Sequence, residues 1–91
     1  MNLQTIALNP RLAWREIEGR VVVISPEDSF AHELNETASF IWKQADRGRN
    51  VSEIAHLLSD EFDVDAAQAR ADTEGLLLVF LQKGLFTSRN D

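Results

Sequence analysis

The sequence has 91 residues, 44% of them apolar, with no cysteine and a formal net charge of −6. This length suits one domain with a single core, and the lack of cysteine excludes disulfides and thiolate chemistry. No apolar run approaches the ~20 residues that cross a bilayer, and the N-terminus shows no signal-peptide pattern, so we expect a cytoplasmic protein. The acidic excess repels a phosphate backbone and argues against nucleic acid as a partner.

The first half of the chain has the pattern of strands. Residues 1–10 are expected to form a loosely attached lead-in. Alternation over residues 11–17 and the β-branched run at 21–24, separated by a turn, predict a β-hairpin. A third short strand is predicted at residues 30–34, where successive side chains point to opposite faces.

Three helices are predicted in the second half, each beginning at a residue that can cap its N-terminus. Asn35 begins the first, Asn50 with Glu53 forms a capping box for the second, and Asp65 begins the third, which ends at Gly84. The expected buried stripes are Ala38, Ile41, Trp42 and Ala45 in the first helix, and Val51, Ile54, Leu58 and Phe62 in the second. Strands followed by helices indicate an α+β fold, here winged-helix-like, with a three-stranded antiparallel sheet on a three-helix bundle.

The third helix has more apolar surface than a domain of this size can cover. Residues 76–81 are all apolar, and at ~100° per residue they surround the helix. The stripe expected to face the core is Ala69, Thr73, Leu76 and Phe80. The neighbouring side carries Leu77 and Leu81, with Leu78 beyond it, and is expected to be covered by another strand, a second copy of the chain or a partner. Leu77 or Leu81 taken singly can equally pack inside the domain.

Catalysis has little support in the sequence. His32 and His56 fall on a strand and a helix, without the spacing of a metal site, and the paired carboxylates fit helix ends and turns. The four glycines are scattered, so no phosphate-binding loop is predicted. We expect no enzyme activity, no cofactor and no metal.

A series of short motifs runs through residues 12–86. They are Val22-Val23-Ile24-Ser25-Pro26-Glu27, Leu34-Asn35-Glu36-Thr37-Ala38, Ile41-Trp42, Asp46-x-Gly48-Arg49, Val51-x-Glu53-Ile54, Phe62, Asp72 and Gly84-Leu85. In this order they resemble the PqqD family, the small peptide chaperones of pyrroloquinoline quinone (PQQ) biosynthesis. The fold of that family also recognises precursors of ribosomally synthesised and post-translationally modified peptides (RiPPs), including lasso peptides.

The resemblance implies a peptide-recognition domain over residues 11–87, followed by a frayed C-terminus at 88–91. The leader of a precursor peptide would add as a strand to the third strand, in the groove beside the third helix. The protein would then carry it to a maturation enzyme, a radical SAM enzyme in the PQQ pathway. The residues expected to contact the peptide are Phe30, Ala31, His32, Glu33 and Leu34 on the strand, and Arg70, Glu74, Leu77, Leu78 and Leu81 on the helix.

Two other functions remain open from the residues. The apolar helix can instead be buried in a homodimer with a structural or regulatory role. A DNA-binding winged helix is the third hypothesis, which the net charge disfavours. On the leader-binding hypothesis, Leu77→Glu is expected to weaken peptide binding with little loss of fold.

Overall fold

The computed structural model describes residues 6–25 and 30–88. In chain order the elements are β1 (Ile6–Leu8), β2 (Ala13–Ile17), β3 (Arg20–Ser25), β4 (Phe30–Glu33), α1 (Glu36–Asp46), α2 (Val51–Phe62), α3 (Ala66–Gln82) and β5 (Phe86–Ser88). The predicted α+β fold, with a three-stranded antiparallel sheet followed by three helices, is confirmed. No helix in the described ranges combines the length and apolar character needed to cross a membrane.

The main sheet has the order β2-β3-β4, with both pairs antiparallel. The β2–β3 hairpin closes through Glu18 and Gly19, whose φ angles of 52° and 83° fit the type I′ turn that matches strand twist. Val21 and Val23 are fully buried, while Ile24 is 40% exposed. Alternate residues of β3 therefore face the helices and the solvent, as a sheet covered on one side requires.

All three helices begin at their predicted caps. The side chain of Asn35 accepts a hydrogen bond from the third residue of α1, and Asp65 does the same in α3. Both hydrogen bonds of the Asn50–Glu53 capping box are present at the start of α2. Gly84, with a φ of 74°, follows the end of α3. These boundaries were predictable because a cap depends on residues within one turn of the helix end.

The core is centred on Trp42 of α1. Its ring makes edge-to-face contacts with Trp14, Phe80 and Phe86 at centroid distances of 6.2, 5.3 and 4.8 Å. These contacts join the main sheet, α3 and β5 around one aromatic cluster, a geometry that aromatic pairs prefer. The predicted α1 stripe is confirmed as buried: Ala38, Ile41, Trp42 and Ala45.

A second, two-stranded sheet pairs β1 with β5 and was not predicted. Ile6 lies opposite Ser88, and Leu8 lies opposite Phe86. Ile6 and Phe86 are buried, so residues 6–8 belong to the domain instead of forming a lead-in, and Ser88 is also part of a strand. Strands of three residues show too little alternation to be recognised in a sequence.

Candidate functional site

The strand β4 forms one edge of the main sheet. Within the described ranges it pairs with β3 on one side and with no strand on the other. An unpaired strand edge presents backbone N–H and C=O groups that can bind another extended chain.

The hydrogen-bond pattern shows which groups face this open edge. The N–H of Leu34 donates to the C=O of Val21 at 2.9 Å, so this pair belongs to the hydrogen-bonded set of the ladder. Because hydrogen-bonded and non-hydrogen-bonded pairs alternate in antiparallel sheets, His32, two residues earlier, also bonds to β3. The backbone N–H and C=O groups of Ala31 and Glu33 therefore point away from β3, toward the open edge.

A groove separates β4 from α3. No Cα atom of β4 lies within 8 Å of a Cα atom of α3, and the space between them has a volume of about 570 Å³. Paired strands lie ~4.8 Å apart, so an extended chain can lie in this space, paired with β4 and between β4 and α3. The apolar residues lining the groove are Leu12, Leu34, Ala38, Leu76, Val79, Phe80 and Leu85.

One end of the groove is bounded by the chain that leads into β2. Asn9 donates from its backbone N–H to the C=O of Leu85 at 3.0 Å, and from its side-chain amide to the C=O of Gly84 at 2.9 Å. Arg11 and Lys83 line the groove near this point. The groove is thus apolar along much of its lining, with basic side chains among the residues at this end.

Ser39 of α1 holds β3 and β4 together where the edge strand ends. Its hydroxyl accepts a hydrogen bond from the Val21 N–H at 2.8 Å and donates one to the C=O of Leu34 at 3.2 Å. The side chain is fully buried. The hydroxyl is therefore inserted into the ladder between the two strands and fixes the edge strand relative to α1. This role was not predicted from the sequence, where the one signal is a serine that directly follows the buried Ala38.

We expect Ser39→Ala to lower the free energy of unfolding by about 1–3 kcal/mol, because it leaves a buried N–H and C=O without their shared partner. Urea denaturation followed by circular dichroism measures the change. Ser52→Ala, on the exposed face of α2, is the matched control and should stay within about 0.5 kcal/mol of the wild type, because the hydrogen bond that it loses with Arg70 is exposed to solvent. Equal stabilities of the two variants would contradict this role.

The structure corrects the predicted helical wall of the groove. Leu77 is fully buried in the core and is not available to a peptide. Arg70 turns toward α2, where its guanidinium donates to the Ser52 hydroxyl at 3.1 Å, and it pairs with Glu74 at 3.4 Å. Leu81 is half-buried against the core.

Leu78, 36% exposed, also lies outside the groove lining. From α3 the lining residues are Leu76, Val79 and Phe80, and Lys83 directly after the helix also lines the groove. On the strand side, His32, Glu33 and Leu34 border the groove, and the backbone of Phe30 and Ala31 belongs to β4. The core stripe of α3 runs through Ala69, Thr73, Leu77 and Phe80, with Leu77 in place of the predicted Leu76.

Comparisons with known proteins bear on this geometry. The model of a family described as Coenzyme PQQ synthesis protein D (PqqD) matches residues 20–85. The structure of TbiB1 in complex with the TbiA(beta) leader peptide is similar, with a TM-score of 0.82, 21% identity, and coverage of 93% of this chain and 99% of that one. Lasso peptide synthetase B1 complexed with the leader peptide gives a TM-score of 0.80 at 21% identity, covering 90% and 96%. No curated protein matches significantly.

Proposed function

Because the chain belongs to the PqqD family, we propose that it is a non-catalytic adaptor that binds the leader of a ribosomal precursor peptide. The observation that carries the proposal is an unpaired strand edge, β4, beside an apolar groove under α3. Both similar structures are complexes of proteins of this fold with a leader peptide, which supports the same use of the groove here.

The unpaired edge of β4 determines how a peptide would bind. A guest strand would exchange backbone hydrogen bonds with Ala31 and Glu33, the two residues whose N–H and C=O groups point outward. Alternate guest side chains would point under α3, onto Leu76 and Val79, and the others would lie on the outer face of the sheet. Backbone hydrogen bonds would give affinity for any extended chain, and the apolar lining of the groove would select among peptide sequences.

We also propose that the protein presents the bound leader to a separate maturation enzyme in the cytoplasm. In the PQQ pathway this enzyme would be a radical SAM enzyme, and in another RiPP pathway a different maturation enzyme. Membership of the PqqD family supports this role. The chemistry of modification then belongs to the partner, and the adaptor contributes recognition and delivery.

A titration tests the proposal. The probe is a synthetic leader peptide, chosen from short open reading frames near this gene, added to isotope-labelled protein. We expect the largest amide shifts at Ala31, Glu33 and residues 76–83, with residues 52–59 of α2 unchanged as the internal control. A peptide that binds tightly while the β4 amides stay unchanged would contradict binding in the groove.

The exposed Leu78 favours a second candidate, because a peptide in the groove leaves this side chain uncovered. A homodimer packed through α3 would cover both Leu78 and Val79. Light scattering across a concentration series, with and without the leader peptide, separates the two. A stable dimer that persists when peptide is present would favour the structural role over the adaptor.

A further inference from the structure

Glu33 places a negative charge at the open edge of the sheet. The register aligns it with Val22, which in turn aligns with Arg15, so the three side chains form one row on the face turned away from the helices. Arg15 is two strands away, ~10 Å at the usual strand spacing. In the described ranges no basic group lies within 4.0 Å of the Glu33 carboxylate.

A strand added to β4 extends this row by one residue. Because the backbone groups of Glu33 point toward the guest, one guest residue lies directly opposite, with its side chain on the same outer face. Opposite charges at such positions stabilise a strand pair, and like charges destabilise it. We therefore expect a basic guest residue to raise the affinity about 1.5- to 5-fold and an acidic one to lower it by a similar factor. The net charge of −6 acts in the same direction.

We propose that the groove selects an extended peptide with lysine or arginine opposite Glu33 and apolar residues on either side of that position. This inference rests on the proposed function, since it concerns the same groove. The flanking apolar residues point under α3, where Leu76 and Val79 lie. Lys83, which directly follows α3, lines the groove on the helix side of the sheet, whereas the Glu33 side chain is on the outer face.

The experiment selects peptides from a displayed library of random twelve-residue sequences with three full-length proteins. These are the wild type, Glu33→Lys, and Glu61→Lys, which makes the same charge change on the exposed surface of α2, away from the groove. We expect the wild type and Glu61→Lys to enrich lysine or arginine at one position between apolar residues. Glu33→Lys should enrich aspartate or glutamate there.

Calorimetry then measures synthetic peptides from the wild-type pool that carry lysine, serine or glutamate at this position. The wild type should bind the lysine peptide roughly tenfold more tightly than the glutamate peptide, combining the gain from one pair with the loss from the other. The preference should reverse in Glu33→Lys and shrink in high salt, because exposed charges are screened.

Three results would overturn the inference in different ways. If Glu33→Lys selects the same charge as the wild type, Glu33 does not select, while peptide binding in the groove stands. If no protein selects any peptide and the leader titration leaves the β4 amides unchanged, the proposed function fails as well. Should Glu33→Lys not fold, Glu33→Gln replaces it, and an undiminished preference for lysine in that variant would also overturn the inference.

Discussion

Glu33→Pro is expected to abolish binding of an extended peptide while the protein stays folded. The N–H of Glu33 points toward the open edge, so its removal costs no hydrogen bond within the sheet. Proline is tolerated on edge strands for this reason. A guest strand, however, loses a donor and meets the proline ring where its own backbone must approach. We therefore expect affinity for the leader peptide to fall at least about tenfold, the sum of a lost hydrogen bond and steric exclusion.

Two control variants separate the backbone from the side chain. Glu33→Ala keeps the N–H and should lose only the contribution of the side chain, about 1.5- to 5-fold in affinity. His32→Pro removes an N–H that bonds to β3 and should lower the melting temperature, because it breaks the ladder of the sheet. Calorimetry measures the affinities and thermal unfolding measures the stabilities. A Glu33→Pro protein that binds the leader as tightly as Glu33→Ala would rule out strand addition at β4.

The parts of the fold that were predicted correctly depend on residues close together in sequence. The Asn50–Glu53 capping box is decided by a few residues, and the turn at Gly19 by two. The β1–β5 sheet depends instead on Ile6 meeting Ser88, at the opposite end of the chain. Nothing in the sequence of either three-residue strand indicates its partner. The pairing could therefore not be predicted, because it depends on how the helices bring the two ends of the domain together.

The edge position of β4 was predicted correctly, but the face of α3 that lines the groove was not. The order of the elements left β4 at an edge, and the structure agrees. On α3, Leu76 and Leu77 lie on either side of the line that joins the buried residues Thr73 and Phe80. The helical periodicity of the sequence therefore does not show which of the two leucines faces the core. The packing of α2 decides between them, because Arg70, on the same side as Leu77, contacts Ser52 of α2. Tertiary packing therefore decides which of the two leucines is buried, and Leu76 is the one that lines the groove.

The assignment of the helix faces predicts opposite behaviour for two residues on α3 that are two positions apart. Leu77→Glu places a carboxylate in a fully buried site and should unfold the domain, contrary to the expectation from sequence. The milder Leu77→Ala should lower the free energy of unfolding by about 2–5 kcal/mol. Urea denaturation measures both, and leader binding by Leu77→Ala should persist in whatever fraction stays folded.

Val79→Glu should leave the protein folded and weaken its binding of the leader peptide, the opposite of the effect expected at Leu77. The side chain is 38% exposed, and glutamate is the better helix former, so stability should change little. Binding should fall roughly tenfold or more, because a charge would then face the apolar side chains of the guest and lose its water on binding. Successive residues of a helix are ~100° apart, so these two positions lie ~200° apart around α3. A folded Leu77→Glu protein together with an unfolded Val79→Glu protein would require the helix to be turned by about that angle, and the groove would then have a different wall.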